Sequence, residues 1–382
     1  MTDDQDATLN TQPSSPNVTS IVIKPAAGSA QFTLNCSGRI YIRRGGFTVD
    51  GENRLTIRQN VFASYGISFV GPIQNITVRN CKIIASEKGT CIDLDTSDST
   101  GGNITNITVT NCELSSTNYV TPIKYGIHSS EHSNPAGTVR NGVFTSNRIH
   151  DFGDNPSTMY SAGISLYQTA GILIDANKFY QTISRSYNSL NAIELRYVMT
   201  FNGDGPTTIS NNVIGGANDS NTGTWNMLSG SFTAILVEAF SANYTINNNT
   251  IRRITMADGS SGTGVGFTGI YARKGNATVT GNTIGATDGT NSIAMNYAGS
   301  TKTAFVYGVN SAIASESTTV SNNNIGGISI NGGGRYEMCG INNSASTGLA
   351  FFNCNNNMIG SLSGYFMTCT STLSGCGLSG IK

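Results

Sequence analysis

Residues 76–83 read ITVRNCKI and residues 107–114 read ITVTNCEL. The phrase returns as GVFTSNRI at 142–149, ILIDANKF at 172–179, TTISNNVI at 207–214, YTINNNTI at 244–251, ATVTGNTI at 277–284 and TTVSNNNI at 318–325. LTIRQNVF at 55–62 reads as a first copy and FNCNNNMI at 352–359 as a weaker last one. Aligned, they give a turn column of Asn60, Cys81, Cys112, Asn147, Asn177, Asn212, Asn249, Asn282, Asn323 and Asn357. Two residues later stands an apolar column: Phe62, Ile83, Leu114, Ile149, Phe179, Ile214, Ile251, Ile284, Ile325 and Ile359. Three residues before the turn column stand Ile57, Val78, Val109, Phe144, Ile174, Ile209, Ile246, Val279, Val320 and Cys354.

Each apolar run is short, rich in β-branched residues and ended by Asn or Gly, so it reads as a strand and a turn. Spacing between copies varies from 21 residues (Asn60 to Cys81) to 41 (Asn282 to Asn323), which means a constant core with variable loops. Repeats that return to the same strand in the same direction stack in parallel, about 4.8 Å apart, so ten coils predict a rod on the order of 50 Å long. Asn suits the turn column because it tolerates the left-handed region and its amide can bond to the amides above and below.

A second strand column supports the stack. It reads CIDLD, GIHSS, GISLY, AIELR, AILVE, GIYAR, GVNSA and CGINNS, starting at Cys91, Gly126, Gly163, Ala192, Ala234, Gly269, Gly308 and Cys339. Alternation places Ile92, Ile127, Ile164, Ile193, Ile235, Ile270, Val309 and Ile341 inside. The expected fold is therefore all-β: a single-stranded right-handed parallel β-helix, or solenoid, of about ten coils with variable loops. Residues 1–17 read as a loose tail, and 18–382 as the β-helix with a Cys-rich C-terminal cap.

Composition agrees with a turn-rich β protein: 45 glycines, 38% hydrophobic and only 12% charged residues in a chain of 382. That hydrophobic share at zero net charge does not fit disorder. With 22 basic and 22 acidic residues and no long basic run, nucleic acid is an unsuitable partner. No stretch is long and apolar enough to span a bilayer, and the acidic start Met1-Thr2-Asp3-Asp4 is unlike an export signal. An extracellular or cell-surface location, with the signal missing from this segment, and a monomeric state are the expectations.

The repeats, with phrases such as IVIKPAAG, FTVDGENRLTIRQN, ISNNVIGG and GNTIG…DGTNSI, resemble the pectin-lyase-like superfamily of right-handed β-helices. Within it they resemble most the Asn-rich surface β-helix repeat proteins of Bacteroidetes-type bacteria. The resemblance covers roughly Val18 to Ile359. It implies the fold directly and leaves function open, because such folds host lyases, hydrolases, adhesins and phage tailspikes alike.

The outward positions of the second column are Asp93 and Asp95, His128 and Ser130, Ser165 and Tyr167, Glu194 and Arg196, Leu236 and Glu238, and Tyr271 and Arg273. The rungs of Asn310 and Ala312 and of Asn342 and Ser344 follow, with little chemistry. Glu194 and Glu238, on neighbouring coils and offset by two residues, stand roughly 8 Å apart at Cα. Inverting glycosidases hold their carboxyl groups about 6.5 to 9.5 Å apart. Glu194, Glu238, Arg196, Arg273 and His128 are therefore the catalytic candidates, with a surface ion-pair ladder of Glu194, Arg196, Glu238 and Arg273 as the alternative. Arg196 or Arg273 would be the base in a lyase, but the paired-Asp and Gly-His-Gly signatures of polygalacturonases are absent.

Asp93, Asp95 and Asp98 offer oxygens to Ca²⁺, which the resemblance makes relevant because many β-helix lyases bridge acidic sugars through it. His128, His132 and His150 form either an acid–base cluster, with Asp151 and Asp154 near, or a scattered loop set. Tyr167, Tyr271, Trp225 and Tyr160 are candidate sugar platforms; Trp225 is favoured because it falls in an apparent loop, Gly215 to Thr233, beside another at Arg252 to Thr268. Cys81 and Cys112 share a column within disulfide range, so a bridge or stacked free thiols remain open. Cys36, Cys91, Cys339, Cys354, Cys369 and Cys376 have no metal-ligand spacing.

Two functions follow. The first is a secreted or surface module for adhesion, glycan binding or structural spacing, with a polysaccharide or surface glycan as partner. The second is an extracellular polysaccharide lyase or glycoside hydrolase.

Overall fold

A computed structural model describes residues 20–28, 30–96, 102–116, 122–129, 137–153, 161–240, 242–257, 266–286, 292–297, 303–313, 315–332, 335–345, 351–360, 367–370 and 377–382, together with the strand at 7–9. Every regular element among them is a strand, and the strands pair in parallel with the next coil, so the chain is a parallel β-helix. It divides into two compact units: residues 1–154, 162–178 and 195–208, and residues 155–161, 179–194 and 209–382.

In the first unit three strand columns repeat. Phe47 to Val49 pair with Ile76 to Val78, Cys81 to Ile84 with Leu55 to Arg58, and Tyr65–Val70 with Thr90–Asp95. Val49, Val78, Val109 and Phe144 are almost wholly buried, as are Ile83, Leu114 and Ile149, and Ile67, Ile92, Ile127 and Ile164. Burying each such side chain contributes about 1.5–3 kcal/mol, and stacking like on like lets one column supply that at every rung.

The first repeat aligns differently from the expectation. Val49, not Ile57, stands opposite Val78, and Ile57 stands opposite Ile83 in the place expected for Phe62. A register shift between Asp50 and Leu55, with Glu52 and Asn53 both left-handed at φ 48° and 59°, hides this behind the spurious match LTIRQN. Asn60 is therefore exposed outside the turn column, and Phe62 is exposed too. Ile21–Ile23 and Phe32–Cys36 form an earlier rung against Phe47 to Val49 and Leu55 to Gln59. Within the stretch read as a tail, Ala7–Leu9 pairs with Ile40–Ile42.

The turn column has two functions, and the chain assigns them to successive residues. The left-handed backbone falls one position before the expected Asn: Asn80, Asn111, Ser146 and Ala176 in the first unit, and Asn211, Asn248, Gly281, Asn322 and Asn356 in the second. The column residues themselves form a buried amide ladder. Asn147 donates from Nδ2 to Asn177 Oδ1 at 3.0 Å, and Asn212 to Asn249, Asn249 to Asn282, Asn282 to Asn323 and Asn323 to Asn357 all at 2.9–3.0 Å. The same amides donate to strand carbonyls of the preceding coil, such as Val109 and Ile246. A polar column inside the core is tolerated because its donors and acceptors are met. Cys81 and Cys112 continue the column as buried free thiols. No helix among the described residues is long and apolar enough to cross a membrane.

The second unit carries an additional strand column where loops were expected. Trp225 to Met227 pair with Ile254 to Met256, these with Ile293 to Met295, and Ile293 to Tyr297 with Ile328 to Gly332. Trp225 is fully buried, packed edge-on against Phe232 with centroids 5.0 Å apart. It is not a sugar platform. Alternation within Trp225–Ala239 buries Trp225 and Met227 and leaves Asn226 and Leu228 outside.

Candidate functional site

In the first unit the strands Ile40–Ile42, Tyr65–Val70, Thr90–Asp95, Tyr125–Ser129 and Ser161–Ala170 lie side by side. Their buried Ile column forces the next residue of each rung outward. Tyr41, Ser68, Asp93, His128 and Ser165 thus form one row. Gly126 seats the His128 rung: a Cβ there would lie 2.6 Å from both Gly163 O and Ile149 Cγ2.

Asp93 is the centre of this row. Ser68 Oγ donates to its Oδ2 at 3.0 Å, and its Oδ1 stands 3.4 Å from His128 Nδ1. The Tyr125 ring stacks on the His128 imidazole, centroids 4.2 Å apart and planes 16° apart. Lys124 Nζ lies 5.1 Å from the Tyr125 ring centre. Two coils back, in the same register as Tyr125, Tyr65 carries Arg39 at 5.2 Å, and Arg39 Nη1 also donates to the Tyr41 hydroxyl at 2.7 Å. Burial, reinforced by the Asp93 carboxylate, pushes the Tyr65 phenol above its ordinary pKa. One coil beyond His128, Tyr167 packs against Tyr197 with centroids 4.9 Å apart, and Tyr197 is 40% exposed. The backbone N–H of Tyr167 donates to Ser129 Oγ at 2.7 Å, tying the two rungs together. Ser68 and Asp93 are buried, at 0% and 2% exposed, so what the face offers to solvent is the rings of Tyr65, Tyr125, Tyr167 and Tyr197, the His128 imidazole and the Arg39 and Lys124 cations. This pattern suits a pyranose chain with apolar ring faces and polar rims.

Of the expected residues, His128, Asp93, Asp95 and Tyr167 come together here. Tyr160, Asp98, Ser130, His132 and Asp154 lie outside the described residues. Both Asp93 oxygens already face partners, and among the described residues no group of three or more His, Cys, Asp or Glu is placed to hold a metal ion. His150 is remote from His128 in role: its Nδ1 stands 2.8 Å from Asp151 and its Nε2 3.6 Å from Glu113. Glu113 also pairs with Lys82 and Arg148. Hydrogen bonding from His150 leads the effects that hold Glu113 at about 2.

In the second unit Glu238 accepts from Arg273 at 3.2 Å and Lys274 at 3.1 Å, the arrangement of an ion-pair ladder. Glu194 is buried, with 3% of its surface exposed. Arg273 also lies 5.7 Å from the ring centre of Tyr271. Arg196 belongs to the first unit, whereas Glu194 and Glu238 belong to the second.

The residues missed in the sequence are Ser68, Tyr65, Tyr125, Lys124, Arg39 and Tyr197. A signal for them exists. Tyr65-Gly66-Ile67, Tyr125-Gly126-Ile127 and Tyr307-Gly308-Val309 repeat one phrase, and extending the second column back by one coil would have exposed it.

No family model and no curated protein matches the chain. Among solved structures, it is similar to the A-module of the mannuronan C-5 epimerase AlgE6 of Azotobacter vinelandii, at 12% identity and a TM-score of 0.29 over 91% of each chain. It is also similar to the Streptococcus pneumoniae surface protein and adhesin PfbA, at 12% identity and a TM-score of 0.25 over 95% of this chain and 92% of that one. The parallel strand register itself carries the fold.

Proposed function

We propose that the chain is an extracellular or cell-surface β-helix module that binds a polysaccharide along the outward face of its first unit. The observation that supports this reading is the aligned set of Tyr125 on His128, His128 at Asp93 and Tyr167 on Tyr197, all carried on adjacent rigid rungs. Rings held on strands lose little freedom on binding, so stacking there is not offset by a large ordering cost. A glycan array probed with the parent chain and with Tyr125→Ala and Tyr167→Ala tests it. Retained folding with at least tenfold weaker binding in each variant is expected; equal binding by all three chains would overturn the reading.

A second reading, a polysaccharide lyase or glycoside hydrolase, is favoured by one feature of the same face. The half-buried His128 imidazole, stacked with Tyr125 and backed at 3.4 Å by the buried Asp93 carboxylate, can exchange a proton with a bound sugar. It centres the chemistry on His128 and Asp93 in place of Glu238, whose carboxylate is held by two cations. Incubation with acidic and neutral polysaccharides separates the readings: enzyme action releases reducing ends or unsaturated products, and His128→Ala abolishes them.

A further inference from the structure

The second unit repeats the aromatic register of the first in different company. Tyr307, in Tyr307-Gly308-Val309, follows the same phrase as Tyr125, and its outward neighbour two residues earlier on the strand is Phe305. The two rings lie with centroids 6.2 Å apart and planes only 18° apart, and Phe305 is 46% exposed. Val306 and Val309, fully buried, anchor the strand beneath them. The rung on one side of Phe305 is Gly266, which has no side chain to cover the ring.

Among the described residues, the groups beside this shelf are uncharged or paired with an opposite charge. On the other side of Phe305 stands Glu337, paired with Lys382 at 2.6 Å. Along the strand, Asn342 Nδ2 donates to Asn310 Oδ1 at 3.0 Å, and Ser344 Oγ donates to the same oxygen at 3.1 Å. Burial first, then the Glu337 carboxylate, pushes the Tyr307 phenol up to about 12, so at neutral pH it is an uncharged hydroxyl.

We infer that Phe305 and Tyr307 form a second glycan site, on the second unit, that takes a neutral β-linked pyranose chain. Two near-parallel rings set along one strand offer sugar rings an apolar surface, and the Tyr307 hydroxyl adds a polar group at its edge. An acidic chain would meet Glu337 and gain no unpaired cation from Lys382. The first-unit face, with Asp93, Asp95, Lys124 and Arg39, has a different charge pattern, so the two sites differ in ligand.

Isothermal titration of the full chain with cellohexaose, xylohexaose and mannohexaose, and with hexagalacturonate as the acidic control, tests this. At least one neutral hexasaccharide is expected to bind, with Phe305→Ala and Tyr307→Ala each weakening it about tenfold and Phe305→Trp retaining it. Phe305 is exposed, so Phe305→Ala is expected to leave the circular dichroism and melting temperature unchanged. Tyr125→Ala should leave this binding intact, which separates the site from the one proposed on the first unit. Binding by none of the three neutral hexasaccharides, unchanged affinity in the Phe305→Ala, Tyr307→Ala double variant, or preference for hexagalacturonate would overturn the inference.

Discussion

Asn249 donates from Nδ2 to Oδ1 of Asn282 at 3.0 Å, with both side chains sealed from solvent. Asn282 in turn donates to the Ile246 carbonyl and to Asn323, and accepts from the backbone of Asn249. Removing its side chain takes the acceptor from two donors of Asn249 and the donor from the Ile246 carbonyl and the Asn323 Oδ1. Asn282→Ala is expected to destabilise by about 2–3 kcal/mol, because buried groups lose partners that water cannot replace. Asn322→Gly, one position before the ladder and left-handed at φ 55°, is expected to change stability by less than about 1 kcal/mol. Urea denaturation of both variants checks the contrast; equal effects would mean that turn and ladder are not separate roles.

A glycine closes the second-unit coils. Gly285 has φ +89°, and a Cβ there would lie 1.6 Å from the carbonyl oxygen of Gly326 on the next rung. Gly285→Ala is expected to cost several kcal/mol, through both strain and backbone displacement, on the scale of the largest single-residue effects. Gly203→Ala has a similar φ, +88°, but open space around it, so its loss is limited to backbone strain of about 1–2 kcal/mol. Thermal melts of the pair give the comparison.

The pH profile of stability follows from the Glu113, His150 and Asp151 cluster. Burial alone would lower the His150 pKa, but hydrogen bonds to Asp151 and Glu113 outweigh it and raise it above the ordinary 6.5. Its contribution is complete below 6.5 and is lost as pH rises through the raised folded value. Glu113 runs the other way: held at about 2 against 4.5, it contributes above 4.5 and loses this as pH falls toward 2. The cluster therefore contributes most between about 4.5 and 6.5. His150→Gln should show its largest deficit near the middle of that window and approach the parent well above it. A deficit independent of pH would contradict the assignment.

Burial pushes the Cys91 thiol up to about 12 and raises that of Cys112, where the neighbouring Cys81 thiol is the leading cause. Thiolate is the reactive form. Cys91 and Cys112 should therefore resist alkylation in the folded chain, and Cys81, buried, should resist it for want of access; all three should label fully in denaturant, read by peptide mass spectrometry. Rapid native labelling of Cys91 would contradict its place in the core.

The core was legible because it repeats: a buried Ile column must recur at each rung, and it does at Ile92, Ile127 and Ile164. Single departures were not legible. The extra residues at Glu52 and Asn53 shifted the first rung, and nothing in LTIRQN marks the true register. Trp225 looked like loop because it opens its strand directly after a stretch rich in Gly, Asn, Ser and Thr, with no Asn-turn phrase to align it. The candidate face was half legible. Asp93, His128 and Tyr167 follow from alternation, whereas Ser68 and Tyr65 sit on a rung whose Asn-turn partner had been misaligned. Tyr125 and Lys124 lie just before the quoted phrase, so they were outside the aligned column.

The most direct test of glycan binding on the first-unit face is hydroxyl-radical footprinting, with and without the polysaccharide selected on the array. The account predicts protection of Tyr125, His128, Tyr167 and Tyr197, with Phe62 and Phe240 unchanged as exposed controls. Protection confined to other residues, or none at saturating glycan, would contradict it.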